Sequence, residues 1–103
     1  MKNDKTKLLE PTSPGEVLIE EILEPLKMNP TQLANKLNVP PGRIHDIIKG
    51  KRAITPDTDY RLSKYLNIEP GFFMRLQVIY DMKKIKPDIE KVLKEIQPRE
   101  KVA

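Results

Sequence analysis

Apolar residues in this chain recur at intervals of three and four, the period of helices that bury one face. Leu18, Ile19, Ile22, Leu23 and Leu26 form one stripe, and Leu62, Tyr65 and Leu66 a shorter one. No stretch alternates apolar and polar residues as a half-buried strand does, and no Asn-Gly or Asp-Gly pair offers a hairpin turn. Prolines mark the helix starts. Ser13-Pro14-Gly15-Glu16 places a cap residue, a proline in the first helical position and a glutamate three residues after the cap. Asn29-Pro30-Thr31-Gln32 repeats that grammar, and Thr55-Pro56-Asp57 opens a further helix with an acid in its first turn. With Glu69-Pro70 and Pro87-Asp88 as further starts, the pattern predicts helices at 14–26, 30–37, 41–49, 56–66 and 70–85, and a sixth at 88–96. The expected fold class is all-α, a compact bundle of five to six short helices. Residues 1–12 read as an N-terminal arm, 13–86 as the folded domain, and 87–103 as a C-terminal helix and tail.

Residues 30–49 carry the most information. Leu33 and Leu37 face one short helix inward, and Ile44, Ile47 and Ile48 face a second. Ala34 suits a close helix crossing. Asn38 stands at the turn, where a residue tolerant of left-handed backbone is required, Val39 fills the gap, and Gly50 ends the second helix. This is the helix-turn-helix pattern, whose second helix enters the DNA major groove. The outward residues of that helix are Pro41, Gly42, Arg43, His45, Asp46 and Lys49. Arg43 can donate two parallel bonds to guanine N7 and O6. His45 can meet a base edge or a phosphate. Thr31 and Gln32 begin the first helix, where backbone N–H groups favour a phosphate. Lys49, Lys51 and Arg52 follow as a basic cluster for the DNA backbone. Asp46 opposes that charge unless it accepts from a cytosine amino group or pairs with a neighbouring base.

Charge sharpens this picture. The 103 residues carry a formal net charge of +4, and the excess is concentrated. Residues 29–53 hold five Lys/Arg against the single acid Asp46, whereas residues 1–28 sum to −2. A basic block inside a folded segment is the footprint of a polyanion. The composition argues against catalysis. Cysteine is absent and His45 is the one histidine, so thiolate chemistry and Cys- or His-cluster metal sites are excluded, and no cofactor is expected. Glu20, Glu21 and Glu24 are the densest acids and read as a solvated helix face. The chain lacks a long uncharged run and an apolar stretch behind Met1-Lys2-Asn3-Asp4-Lys5, so neither a membrane span nor a secretory signal is expected, and the expected location is cytoplasmic.

Within 70–85, Phe72, Phe73, Leu76, Ile79 and Tyr80 make one apolar face, and Met74, Val78 and Met82 a second. A helix apolar on two sides needs two partners, which points to a homodimer with Phe72, Phe73, Met74, Leu76, Val78, Ile79 and Met82 at its interface. The alternative is a helix buried at the centre of one protomer. Ile89, Val92, Leu93 and Ile96 form another stripe, suited to completing the dimer, covering the core or docking a protein partner.

Several runs resemble a known family. Pro14-Gly15-Glu16, Thr31-Gln32-Leu33-Ala34 and Lys49-Gly50-Lys51-Arg52-Ala53-Ile54-Thr55-Pro56 resemble the Xre-type, lambda-repressor-like helix-turn-helix proteins. Arg61-Leu62-Ser63-Lys64-Tyr65-Leu66, Pro70-Gly71-Phe72-Phe73-Met74-Arg75-Leu76-Gln77 and Tyr80-Asp81 narrow the likeness to the HigA/VapI antitoxins of toxin–antitoxin modules, over residues 13–82. The chain departs at Pro40, where such proteins usually carry a Ser or Thr cap, at Phe73 in place of Trp, and at Asn38 in place of Gly. The resemblance implies a homodimer that binds a palindromic double-stranded operator, represses its own operon and neutralises a small RelE-like toxin that cleaves messenger RNA. Two further readings stand beside it. One is a stand-alone Xre-type transcriptional regulator without a toxin, and the other a protein-interaction module whose basic block meets an acidic surface.

Overall fold

The computed structural model describes residues 12–100, and no strand occurs among them. Helix α1 runs through Pro14–Val17, a π-helical stretch Leu18–Leu23 and Glu24–Leu26. It is followed by α2 (Pro30–Leu37), α3 (Pro41–Ile48), α4 (Pro56–Leu66) and α5 (Phe72–Leu93). The N-terminal arm expected at residues 1–12 lies almost wholly outside the described residues.

The helix starts follow the expected chemistry. Ser13 Oγ accepts from the Glu16 N–H at 3.1 Å, while Glu16 Oε1 accepts from the Ser13 N–H at 3.2 Å. Asn29 and Gln32 make the same reciprocal pair at 2.8 and 2.9 Å. Each pair satisfies two N–H groups that the helix itself leaves without partners. The first four helices end alike, with a left-handed residue at Lys27, Asn38, Gly50 or Asn67. The following N–H then reaches back five residues, as from Val39 to the Ala34 carbonyl (3.0 Å) and from Lys51 to the Asp46 carbonyl (2.8 Å). The π-helical stretch sits just ahead of Pro25. A proline ring clashes with the carbonyl four residues back, and widening the preceding turn to a five-residue spacing relieves that clash.

One core joins all five helices: Leu18, Ile22 and Leu23 of α1, Leu33, Ala34 and Leu37 of α2, Ile44 and Ile47 of α3, Leu62 of α4 and Phe73 of α5. Val39 and Ile54 close it from the connecting loops. Gly15 lies where α1 crosses the end of α3. A methyl group there would stand 2.6 Å from the Ile47 carbonyl oxygen and 2.9 Å from Ile48 Cα, both backbone atoms. Only glycine allows so close an approach.

The structure corrects the expected pattern in three places. Leu26 is exposed, because α1 ends one turn beyond the edge of the core. Tyr65 is 36% exposed, with its hydroxyl donating to the Met28 sulfur at 3.6 Å. The last two expected helices are one. Helix α5 begins at Phe72 rather than at Pro70 and continues through Pro87 to Leu93, so no helix end marks the boundary expected after residue 86. Pro87 removes a single backbone bond at an exposed position, where the freed carbonyl is open to water. None of the described helices is long and apolar enough to cross a membrane.

Candidate nucleic-acid interface

Helices α2 and α3 form the expected two-helix unit. Asn38 takes φ 61° and ψ 43° between them, Ala34 is fully buried at their contact, and Val39 fills the gap beneath the turn. Helix α3 is seated through Ile44 and Ile47, which leaves Pro41, Gly42 and Lys49 exposed and Arg43, His45 and Asp46 partly so. Pro40 occupies the cap position of α3 and supplies no side-chain bond to it. A serine or threonine hydroxyl there would have added a polar atom to this surface.

The other expected contact residues gather around that helix. Thr31 and Gln32 are exposed at the start of α2, and Thr31 Oγ1 lies 3.4 Å from His45 Nε2, which brings the two helices' polar residues together. The side chain of Gln32 is committed to its own helix start, since Oε1 accepts from the Asn29 N–H. Lys51 and Arg52 are exposed in the loop after α3. Asp46 faces Arg52 at 3.9 Å, and its carbonyl accepts from the Lys51 and Arg52 N–H groups. The one acid of the basic block is therefore turned toward a base of the same block.

Arg43 is held from outside the two-helix unit. Its Nη1 donates to Asp57 Oδ1 at the start of α4, and the same oxygen accepts from Arg61 Nε at 2.7 Å. Arg61 Nη1 reaches back to the Leu37 carbonyl at 2.8 Å and the Asn38 carbonyl at 3.3 Å. A continuous polar chain thus runs from the turn through Arg61 and Asp57 to Arg43. The hydrogen bond from Arg61, and then that from Arg43, hold the Asp57 carboxyl below the usual carboxylate range.

Two supports of this surface escape the apolar pattern. Asp59 is buried, and its carboxylate accepts from the N–H groups of Gly71 (2.6 Å), Phe73 (2.9 Å) and Met74 (3.2 Å). It thereby caps α5, whose own start at Gly71 has no capping side chain. Gln77 Oε1 accepts from the Ile54 N–H at 2.8 Å, and its amide donates to Asp81 at 3.0 Å, so α5 also fixes the loop that leaves α3. In sequence, Asp59 reads only as an acid in a first turn. The signal available was the missing cap at Pro70-Gly71, which requires an acceptor from elsewhere.

The residues expected at a dimer interface divide. Phe73 is 1 % exposed inside the protomer's own core, so it is removed from that interface. Its ring meets Phe72 edge-on at 5.1 Å between centroids. Met74 and Leu76 are partly buried against the core, while Phe72, Val78, Ile79 and Met82 are exposed. Phe72 and Ile79 are thus parted from Phe73 and Leu76, with which the spacing grouped them on one face, and Gln77 is buried.

Comparison with known proteins agrees with this geometry. A helix-turn-helix family model, HTH_3, matches residues 19–73. Virulence-associated protein I of Dichelobacter nodosus is 37% identical over 79 residues, covering 77% of this chain and 73% of that protein. The antitoxin HigA of Pseudomonas aeruginosa, solved with the higBA promoter, superposes with a TM-score of 0.81 at 32% identity, over 86% of this chain and 98% of that one. An addiction module antidote protein of the HigA family from Coxiella burnetii gives 0.80 at 41% identity, over 87% and 99%. A helix-turn-helix model over more than half of the chain and a relative at 37% identity agree with the two-helix geometry, and the chain belongs to the Xre-type helix-turn-helix family.

Proposed function

We propose that this chain is a sequence-specific DNA-binding antitoxin that represses its own operon and neutralises a RelE-like, mRNA-cleaving toxin. The observation that carries the DNA-binding part is the outward surface of α2 and α3. There Thr31, Lys49, Lys51 and Arg52 are exposed, Arg43 and His45 are partly so, Thr31 lies beside His45, and the block's only acid faces Arg52. In this reading α3 lies in the major groove, where Arg43 and His45 meet base edges. Thr31, Lys49, Lys51 and Arg52 hold phosphates on either side. The structural likeness to HigA-family antitoxins, one of them solved with its promoter, supports the antitoxin assignment. Exposed Phe72, Val78, Ile79 and Met82 on α5 supply an apolar surface for a second copy of the chain, which a palindromic operator requires.

The test has two arms. DNA from upstream of this gene should bind the protein far more tightly than a scrambled duplex, with affinity falling steeply as salt rises. Co-expression with the small neighbouring reading frame should relieve growth arrest caused by that frame alone, and the two products should co-purify. Operator binding beside a harmless, non-binding neighbour would instead identify a stand-alone regulator. Equal binding to operator and scrambled DNA would remove the regulatory reading altogether.

A further inference from the structure

We infer that Asp57 is a specificity-determining positioning residue, which holds the Arg43 guanidinium in one orientation so that it reads guanine rather than grips phosphate. This rests on the DNA-binding reading above and adds a residue that lies outside the helix-turn-helix unit. Arg43 donates through Nη1 to Asp57, and the side chain is only 25% exposed. No other protein hydrogen bond to its guanidinium occurs among the described residues. One corner of the planar fork is therefore occupied, and its other donors have no protein partner among the described residues.

Asp57 is itself fixed. Its Oδ1 is shared with Arg61 Nε, and Arg61 is anchored on the carbonyls of Leu37 and Asn38 at the turn. The position of Arg43 is thus referred back to the turn that sets the angle between α2 and α3. A free arginine loses rotamer entropy when it binds, and a pinned one has lost it already. The adjacent carboxylate also offsets the cationic charge, which weakens attraction to phosphate anywhere along the duplex. Guanine is affected far less, because N7 and O6 are recognised by the geometry of two parallel bonds. Both effects raise the ratio of specific to non-specific binding.

The test uses a duplex enriched by the full-length protein from a random-sequence DNA pool, with the unselected pool as reference. Each guanine of the selected duplex is replaced in turn by 7-deazaguanine, which lacks the N7 acceptor. The wild-type protein should lose affinity about tenfold at one guanine per half-site. In Asp57→Asn that penalty should fall to about twofold or less, binding to the pool should tighten, and preference for the selected duplex should drop about tenfold. In an Arg43→Ala background Asp57→Asn should change neither ratio. Each ratio is taken on one preparation, so a general loss of folded protein does not mimic the result. An undiminished penalty in Asp57→Asn overturns the inference while leaving DNA binding intact, as does an effect that persists without Arg43. A wild-type protein indifferent to every deaza substitution does the same. Failure to enrich any sequence overturns the DNA-binding reading and this inference with it.

Discussion

The two halves of α5 have similar amphipathic content and opposite fates. In the first half Phe73 and Gln77 are buried, and Asp59 and the Ile54 N–H tie the helix to the domain. In the second half Ile85, Val92 and Leu93 are all about half exposed. The projecting half stretches the molecule, giving a radius of gyration of 17.0 Å where a compact chain of this length has about 13 Å. Periodicity alone therefore establishes a helix with an apolar side. Burial depends on whether another element lies opposite.

The strongest way to break this contrast is to truncate one apolar side chain from each half. Phe73→Ala should cost about 3–5 kcal/mol in urea unfolding. Ile85→Ala should stay within about 0.5 kcal/mol at concentrations where the chain is monomeric. Comparable losses would mean that the projecting half is packed after all. Next comes the tie between α5 and the domain. Asp59→Asn should cost about 2–3 kcal/mol, because the amide cannot replace a carboxylate that accepts three N–H groups. Amide exchange at Phe73 and Met74 should quicken, while exchange beyond Met82 should not change.

The smallest effect concerns acid. The Asp57 carboxyl titrates below its ordinary value because the ionised form is bonded by Arg61 and then Arg43. Its lowered folded-state pKa means that its contribution is present above about pH 4 and is lost as the pH falls through that lowered value. The group is solvent-exposed, so the loss is slight, and carboxyl NMR titration is the suitable measurement. Arg61→Ala should raise the midpoint more than Arg43→Ala, and an unshifted midpoint in the wild type would dissolve the bridge.

Much of the helix-turn-helix unit was legible because its determinants are local. Ser13, Asn29, Asn38 and Gly50 act within a few residues of themselves, and a linear pattern records such interactions. Asp59 and Gln77 act across 12 to 23 residues of chain, so their roles depend on how helices cross, which the pattern does not contain. The residues outward on α3 were legible for the same local reason, whereas the hold of Asp57 on Arg43 was not. Pro87 misled because a proline start signal and a proline tolerated in solvent look identical in one dimension. Phe72 and Phe73 are adjacent and equally apolar, and only the position of α5 on the core decides which one is buried.

The contact at Gly15 has a consequence for how such proteins diversify. Helix α3 rests there on backbone atoms of its own last turn, Ile47 O and Ile48 Cα, and on Ile44 and Ile47 facing the core. None of the outward side chains takes part in that seat. On the proposed DNA-binding reading, substitutions at positions 42 and 49 would therefore alter the preferred DNA sequence without re-engineering the docking of the helix, which would make recognition modular. Positions 43 and 45 are the exceptions, because Arg43 has its partner on α4 and His45 lies against Thr31 of α2. Related proteins that change residue 43 are expected to change residue 57 with it, and that paired drift is the evolutionary trace such a linkage leaves.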